Sequence, residues 1–221
     1  MNGVTIDSLG VSVGVDIGQR RDHTAFVVVE KERRAYTVDG KGIKYGGENH
    51  FVVRTLERME LGVTYPKITR RLTELDRRLR LLQFYPEFWV DATGVGKPVI
   101  DLLRTSGADI KEVYLTGSDQ VVKGQWGLLH LGKSLMVSRL QVLLQMERIH
   151  LPNTREAAVL TDELLNYEIR VNENANAQFG SFKVGRHDDL ATALGLACWN
   201  DPAWGQSFML PPAFKLEGTV F

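Results

Sequence analysis

The sequence predicts an α/β fold in which a mixed β-sheet is flanked by α-helices on both faces. Runs rich in β-forming residues come first, and helices and strands alternate after them; the runs cover residues 11–17, 23–30, 33–38 and 50–56. The turn-like stretch between the first two runs predicts that they are antiparallel neighbours. Strands followed by strand–helix alternation are typical of a mixed sheet covered by helices.

The first long helix is predicted directly after Tyr65-Pro66. Leucine and isoleucine recur there at three- and four-residue steps, which is the period of an apolar helix face, and arginines occupy the other faces. A strand follows at residues 88–91. The next helix starts near Pro98 and stops at Gly107, because proline favours the first turn and glycine commonly follows the last.

The second half of the chain continues this alternation. Its predicted elements are a short strand at 113–115, a loop at 118–128, helices at 131–146 and 154–166, and a last core helix at 188–199. Strand-like ends around residues 172–176 indicate an exposed hairpin or loop. Residues 1–200 are therefore expected to form one domain, and 201–221, with its prolines and scattered aromatics, an irregular tail.

Composition fits a compact domain in a reducing compartment. The chain has 221 residues, of which 43% are hydrophobic, and this is enough for a sizeable core. The single cysteine, Cys198, lies in an apolar helix and is expected to be buried as a small hydrophobe. No leader peptide and no long apolar run is present, so we expect a cytoplasmic protein that does not enter a membrane.

The charge balance leaves nucleic-acid binding open. A formal net charge of zero counts mildly against it, because many DNA-binding domains are basic. An acidic metal site would, however, offset basic residues elsewhere. Arginine runs could form a phosphate-contacting surface, with solvated helix faces as the simpler alternative; they are Arg20-Arg21, Arg33-Arg34, Arg70-Arg71, and Arg77-Arg78 with Arg80.

Carboxylates stand at three points where a strand ends or a helix begins. Asp16 closes the run V-S-V-G-V-D, Asp91 closes E-F-W-V-D, and Asp188 with Asp189 opens an apolar helix. Carboxylate oxygens suit hard divalent cations, and two such ions about 3.5–4 Å apart can clamp a phosphoryl group for in-line hydrolysis. A turn aspartate or helix capping would explain each position singly. Their coincidence favours a metal-dependent nuclease.

A competing motif spans Gly127 to Ser134. It matches the phosphate-binding pattern G-x-x-x-x-G-K-[ST] letter for letter. A P-loop needs a buried strand before it, whereas residues 123–126 are polar and contain glycine, and the residues inside the motif are bulky. Lys133 is therefore predicted to open a helix. His187, beside the acid pair, is a candidate metal-site neighbour or phosphate contact, with an ordinary surface histidine as the alternative.

Several ordered motifs resemble the nuclease domain of phage terminase large subunits. They are V-G-V-D-I-G followed by D-H-T-A, then W-V-D-A-T-G-V-G-K-P-V, then H-D-D-L-A-T-A-L. The segment G-K-S-L-M-V-S-R-L-Q-V-L-L-Q with I-H-L-P is similar to the corresponding part of prophage terminases. The resemblance covers roughly residues 11–200 and implies a ribonuclease H-like fold, which Holliday-junction resolvases share.

The resemblance also implies a site and a reaction. Two Mg²⁺ or Mn²⁺ ions would share Asp16 and be held further by Asp91 and by either Asp188 or Asp189. The expected reaction is endonucleolytic hydrolysis of double-stranded DNA that leaves 5′-phosphate and 3′-hydroxyl ends. Substrate contacts are expected from basic side chains near these acids, namely Arg20, Arg21, Lys133 and His187.

The expected partners follow from the same resemblance. Full terminases carry an ATPase motor, and too few residues precede Val11 to hold one, so a separated nuclease domain is expected to work with a separate ATPase motor, a small terminase or a portal protein. Three other functions are open: a junction-resolvase-like nuclease, a catalytically inactive docking module of a packaging complex, and an actin-like or sugar-kinase ATPase. The last needs a second similar domain.

Overall fold

The secondary structure follows the predicted strand-then-alternation order. A computed structural model describes residues 3–18, 22–37, 44–94, 96–125, 128–171, 177–180 and 188–200. The strands in this part of the chain are β1 (Gly3–Asp16), β2 (Ala25–Thr37), β3 (Lys44–Arg58), β4 (Glu87–Asp91), β5 (Asp109–Thr116), β6 (Val121–Lys123), β7 (Leu129–Gly132), β8 (Ile149–His150), β9 (Glu168–Val171) and β10 (Ala177–Gly180). The helices are α1 (Tyr65–Leu81), α2 (Gly96–Thr105), α3 (Lys133–Gln145), α4 (Arg155–Leu165) and α5 (Asp189–Ala197).

Eight of these strands form one mixed sheet. Their order across the sheet is β6-β7-β5-β4-β1-β2-β3-β8, and β9 and β10 form a separate hairpin. β1, β2 and β3 are antiparallel neighbours, whereas β1, β4, β5 and β7 run parallel to one another. The predicted mixed sheet and the antiparallel pairing of the first two strands are confirmed. The predicted strand-like ends are β9 and β10, which pair antiparallel, whereas residues 172–176 between them lie outside the described residues.

Helices cover both faces of the sheet, because successive side chains of a strand point to opposite sides. On β1, Val11, Val13 and Val15 pack into one apolar layer with α1 and α2. Side chains of β2 and β3 pack into the other layer with α3, α4 and α5. Cys198 is fully buried in this second layer, as its apolar surroundings predict.

Four predicted boundaries are wrong. β2 is one continuous strand, although the sequence suggested separate runs at 23–30 and 33–38. The charged residues between those runs are held in the ladder, because β2 pairs with β1 on one side and β3 on the other. For the same reason β1 and β3 extend well beyond their apolar runs. The predicted loop at 118–128 contains β6, which pairs with β7 at the sheet edge.

The motif that matches the P-loop pattern does not form a phosphate-binding loop in its described residues, as predicted. Its residues Leu129 to Gly132 form β7, a strand paired with both β5 and β6, so their amides are engaged in the sheet and cannot wrap a phosphate. Lys133 opens α3, as predicted.

Among the described residues, no helix is both long and apolar enough to span a membrane. The predicted tail 201–221 lies outside the described residues, so that boundary stays a prediction.

Gly14 allows α5 to lie directly against β1. A Cβ atom at this position would stand 1.9 Å from the carbonyl oxygen of Ala193 and 2.5 Å from the amide nitrogen of Ala197. Both atoms belong to the α5 backbone, which cannot move aside as a flexible side chain would. Helix α5 therefore packs on the middle of the sheet with backbone-to-backbone contact, and its N-terminus is fixed relative to the end of β1.

We expect Gly14→Ala to destabilise the protein by about 1–3 kcal/mol, because overpacking forces a backbone shift. Urea unfolding of the variant and the wild type measures the change. Gly117→Ala is the matched control: no heavy atom lies within 4 Å of the added Cβ there. Equal stability of the Gly14 variant and the wild type would contradict the close packing.

Candidate functional site

The three predicted acidic positions lie at one edge of the sheet. Asp16 ends β1 and Asp91 ends β4, its parallel neighbour. The ladder between these strands pairs Val15 with Val90, so the two aspartates are the next residues along adjacent strands. Asp188 occupies the N-cap position of α5, without a capping hydrogen bond from its side chain, and Asp189 is the first residue of the helix. Because α5 packs on β1, the sheet and the helix bring all four acids to one place.

Strand alternation also puts these side chains on one face. Val13 and Val15 point into the layer of α1 and α2, so Gly14 and Asp16 point to the opposite side, where α5 lies. Phe88 and Val90 likewise point toward α1 and α2, which leaves Asp91 on the α5 side. A shift of one residue in either strand would turn its aspartate away.

Burial and the neighbouring acids raise the pKa of Asp16. The pKa of the Asp16 carboxyl lies well above its ordinary value, mainly through burial and then through repulsion by Asp91, Asp189 and Asp188, while Lys133 opposes these effects. Burial also raises the pKa of Asp91, although hydrogen bonds from Thr93 and the charge of Lys133 act against it. The site therefore carries more negative charge than its own cations neutralise.

Lys133 is the cation closest to the centre of this cluster. Its Nζ atom donates to Oδ2 of Asp188 over 3.1 Å and lies 6.0 Å from the ring centre of Tyr167. Burial alone would lower the pKa of Lys133, but attraction to Tyr167, Asp188 and Asp16 outweighs it and raises that pKa. Burial raises the pKa of Tyr167 to about 12, so at neutral pH its hydroxyl is protonated and the acids hold the ammonium.

A second cation, Arg58, serves the other member of the acid pair. It ends β3, with its Nε 3.6 Å from Oδ2 of Asp189, and its guanidinium also forms an ion pair with Glu163 of α4. Glu163 in turn accepts a hydrogen bond of 2.9 Å from the amide of Ala191, in the first turn of α5. Glu163 and Asp189 are both buried. This network ties α4, β3 and the start of α5 together.

Asp188 and Asp189 consequently have different surroundings. The Asp189 side chain is 8% exposed and faces Arg58, whereas that of Asp188 is 26% exposed and faces Lys133. Within the described ranges, no three Asp, Glu, His or Cys side chains are close enough to hold a metal ion as they stand. The donor chemistry nevertheless fits a hard divalent cation, since the acids are all carboxylates and their mutual repulsion raises the pKa of Asp16.

Other predicted contacts have mixed outcomes. Lys133 lies beside the acids, and its contact with a substrate stays a prediction. Arg20, Arg21 and His187 lie outside the described residues, so their roles stay predictions as well. Sequence reasoning missed Arg58, Glu163 and Tyr167. Glu163 carried a usable signal, because it is a charged residue next to the apolar face that contains Leu160. No pattern in the sequence around Arg58 or Tyr167 predicted that they lie at the site.

The fold matches known nuclease domains. The large terminase nuclease from thermophilic phage G20c is similar with a TM-score of 0.59 and 22% identity, over 86% of this chain and 81% of that one. The same nuclease with bound magnesium gives a TM-score of 0.59 and 22% identity, over 86% and 80%. The Thermus phage P74-26 large terminase nuclease domain gives 0.56 and 21%, over 85% and 77%. No protein-family model and no curated protein matches the chain.

These similarities confirm the predicted ribonuclease H-like fold. They also confirm that the chain resembles terminase nuclease domains in its structure, over most of its length. At this level of sequence identity the likeness establishes the fold.

We expect Asp16→Asn to raise the thermal midpoint in EDTA, and the gain to grow with pH. The pKa of Asp16 is higher in the folded than in the unfolded protein, so this group costs stability progressively as pH rises above the unfolded value of about 3.9. Thermal unfolding between about pH 5 and pH 8 measures the effect. A gain of about 1 kcal/mol corresponds to about 2–4 °C.

Asp109→Asn is the matched control for this variant. Asp109 starts β5 at the opposite edge of the sheet, and its side chain is 53% exposed. Its replacement is expected to change the midpoint little at any pH. If Asp16→Asn were less stable than the wild type at about pH 8, where the cost is fully developed, the repulsion between the acids would be refuted.

We expect Arg58→Met to destabilise the protein more than Glu163→Gln. Loss of the guanidinium leaves two buried acids, Glu163 and Asp189, without this cation, and breaking a buried pair costs about 3–5 kcal/mol. Glu163→Gln leaves Arg58 beside Asp189 and keeps an acceptor for the amide of Ala191. Urea unfolding at neutral pH compares the two variants. The opposite order would mean that Arg58 does not support both acids.

Proposed function

We propose that the chain is a divalent-metal-dependent endonuclease that hydrolyses the phosphodiester bonds of double-stranded DNA. The observation that carries the proposal is the convergence of four carboxylates, Asp16 and Asp91 at the ends of adjacent strands and Asp188 and Asp189 at the start of α5. The raised pKa of Asp16, caused by burial and by these neighbours, supports it. Natural proteins bury unneutralised acids at a considerable cost, and perturbed carboxylates cluster at functional sites. The structural similarity to terminase nuclease domains supports the reaction class.

Asp16 is the central ligand in this proposal. It stands between Asp91 on the neighbouring strand and the acid pair at the start of α5, so it is the one carboxylate that both flanks can share. Oδ1 of Asp91 accepts a hydrogen bond of 2.7 Å from the amide of Thr93, which orients the carboxyl group and leaves its other oxygen for a ligand. We assign metal-ligand roles to Asp16 and Asp91.

The two acids at the start of α5 contact different cations. Lys133 holds Asp188 at the more exposed position, and Arg58 holds Asp189 at the buried one. Both acids thus have a fixed orientation before any ion binds, which lowers the cost of assembling the site. We assign the third ligand position to this pair. Lys133, with a raised pKa, remains an ammonium group that can also attract the phosphate of a substrate.

Two Mg²⁺ or Mn²⁺ ions, when bound, would supply an activated attacking water and stabilise the charge that develops on the leaving 3′ oxygen. Asp16, Asp91 and the acid pair would hold those ions, and basic side chains of the chain would position the backbone of the substrate. The products would carry 5′-phosphate and 3′-hydroxyl ends. A crystal of the phage G20c nuclease contains bound magnesium, and one contains bound cobalt, which is consistent with divalent ions at this fold.

The proposed setting is DNA packaging. The similar structures are nuclease parts of large terminases. We therefore propose that the chain acts in a bacterial host cytoplasm with an ATPase motor, a small terminase or a portal protein. The substrate contacts predicted for Arg20, Arg21 and His187 belong to the same proposal.

Cleavage of supercoiled plasmid tests the proposal. We expect nicking and linearisation with Mg²⁺ or Mn²⁺, none in EDTA, and a loss of at least about 100-fold in Asp16→Asn, because removal of one electrostatic stabiliser of a transition state costs about 10²–10³ in rate. Asp109→Asn, with its exposed acid at the far edge, is expected to cut at the wild-type rate. No cutting by the folded wild type with either ion would overturn the assignment.

Metal binding has a separate readout. Mn²⁺ is expected to raise the thermal midpoint of the wild type, since a ligand that binds only the folded state stabilises it. The same addition should leave the midpoint of Asp16→Asn nearly unchanged. An equal rise in both proteins would place the ion elsewhere.

A further inference from the structure

Helix α1 concentrates positive charge in a chain of zero net charge. Between Tyr65 and Leu81 it carries six lysine and arginine residues against two acids. Its apolar face, which includes Ile68, Leu72 and Leu75, packs into the layer beneath the sheet, and Asp76 is buried as well, whereas the basic residues lie on the other faces of the helix. The helix therefore carries a local surplus of four positive charges.

Half of these cations are already engaged. Arg71 binds Glu57 of β3 through Nε and Nη2 at 3.0 and 2.7 Å. Arg80 binds Asp76 one turn earlier in the helix at 2.8 Å. Arg78 forms an ion pair with Glu74. These three arginines thus have partners of their own chain, and the sequence runs that contain them are not uniform basic patches.

The other three cations are Lys67, Arg70 and Arg77. All are exposed, and none forms an ion pair with an acid in the part of the chain that the structure describes. At 100° per residue they fall within an arc of about 80°. Lys67 and Arg77 are ten residues apart, which is about 15 Å along the helix. They form one stripe, which we call the α1 stripe.

The α1 stripe begins at the edge of the sheet that holds the acids. β3 ends at Arg58, which pairs through Ala25 of β2 with Asp16 of β1. Only residues 59–64 separate that point from the first turn of α1. Lys67 therefore lies at the end of the helix nearest this edge, although α1 covers the face of the sheet opposite α5 and the acids. Arg70 and Arg77 follow as the helix runs away from the edge.

We propose that the α1 stripe contacts the phosphate backbone of duplex DNA on the face of the sheet opposite the acids; this rests on the proposed nuclease function. The charges are complementary, and about 15 Å corresponds to about four base-pair steps of 3.4 Å. The stripe contains no aromatic side chain on which unpaired bases could stack, so it suits the backbone of a duplex better than a single strand. Contacts of this kind position DNA without reading its sequence.

Salt-dependent binding measures the contribution of the stripe. The fluorescence anisotropy of a labelled short duplex, titrated with the full chain in EDTA at several salt concentrations, gives the slope of log K against log salt. Each phosphate contact contributes about 0.9 to that slope, so the variant Lys67→Ala/Arg70→Ala/Arg77→Ala is expected to reduce it by about 2.7. Arg155→Ala is the control, because Arg155 is exposed at the start of α4, on the face of the sheet opposite α1 and eight residues before Glu163, which contacts the acid network.

A variant that is expected to bind DNA more tightly separates an effect on the stripe from weaker binding that results from unfolding. Glu74 lies within the arc of the stripe, and its carboxylate holds Arg78. Glu74→Gln removes the acid from the α1 stripe and releases Arg78 as a fourth cation. We therefore expect tighter DNA binding and a slope of log K against log salt that is steeper by one contact, or about 0.9. Weaker binding by Glu74→Gln, or an unchanged slope in the triple variant, would overturn the proposal.

The two proposals fail in different ways. A wild type that binds duplex DNA with the expected loss in the triple variant, yet never cuts with Mg²⁺ or Mn²⁺, refutes the nuclease and leaves the α1 stripe as a DNA-contacting surface. If the wild type cuts, and the triple variant has the same affinity and the same salt slope as Arg155→Ala, the α1 stripe is refuted and the nuclease function stands. A wild type that does not bind duplex DNA at any salt refutes the stripe.

Discussion

The contact between α5 and β1 is the constraint on which the candidate site depends. Gly14 has no side chain, so the backbone of α5 lies against the strand at Ala193 and Ala197. This fixes the start of the helix, with Asp188 and Asp189, relative to the last residue of the strand. Four carboxylates from three separate parts of the chain meet because one position carries only a hydrogen atom.

The same packing creates an electrostatic conflict. Burial and repulsion raise the pKa of Asp16, which means that the folded protein is less stable at neutral pH than it would be without this carboxylate. Lys133 and Arg58 each hold one member of the acid pair, and the network of Arg58 with Glu163 anchors the start of α5. The structure thus maintains an acidic cluster against its own repulsion, which is the pattern expected where function, and not stability, determines the residues.

Overall charge is a poor guide to this molecule because the charges are sorted in space. Acids gather at the ends of β1 and β4, and α1 has a surplus of cations. Within α1 the structure separates arginines that serve the fold from those that face solvent alone, such as Arg70 and Arg77. A chain of zero net charge can therefore present an acidic centre on one face of the sheet and a basic helix surface on the other.

The sequence by itself determined the fold class and the acidic positions. Apolar periods define strands and helices locally, and an acid that ends a buried strand or opens an apolar helix is visible without a structure, as Asp16, Asp91 and Asp188 illustrate. The full length of β2 was not visible, because its charged middle is held by ladder bonds to two neighbours that lie elsewhere in the chain.

Only the tertiary structure decided which residues support the acids and which cations stay exposed. Arg58 and Glu163 are more than a hundred residues apart, and their pairing depends on how α4 and β3 pack around α5. Arg71 and Arg70 are adjacent in the sequence, yet one binds Glu57 and the other faces solvent, because a helix turns its neighbouring side chains in different directions. Local patterns determine what each segment forms, whereas charge pairing depends on distances that exist only after the segments have packed.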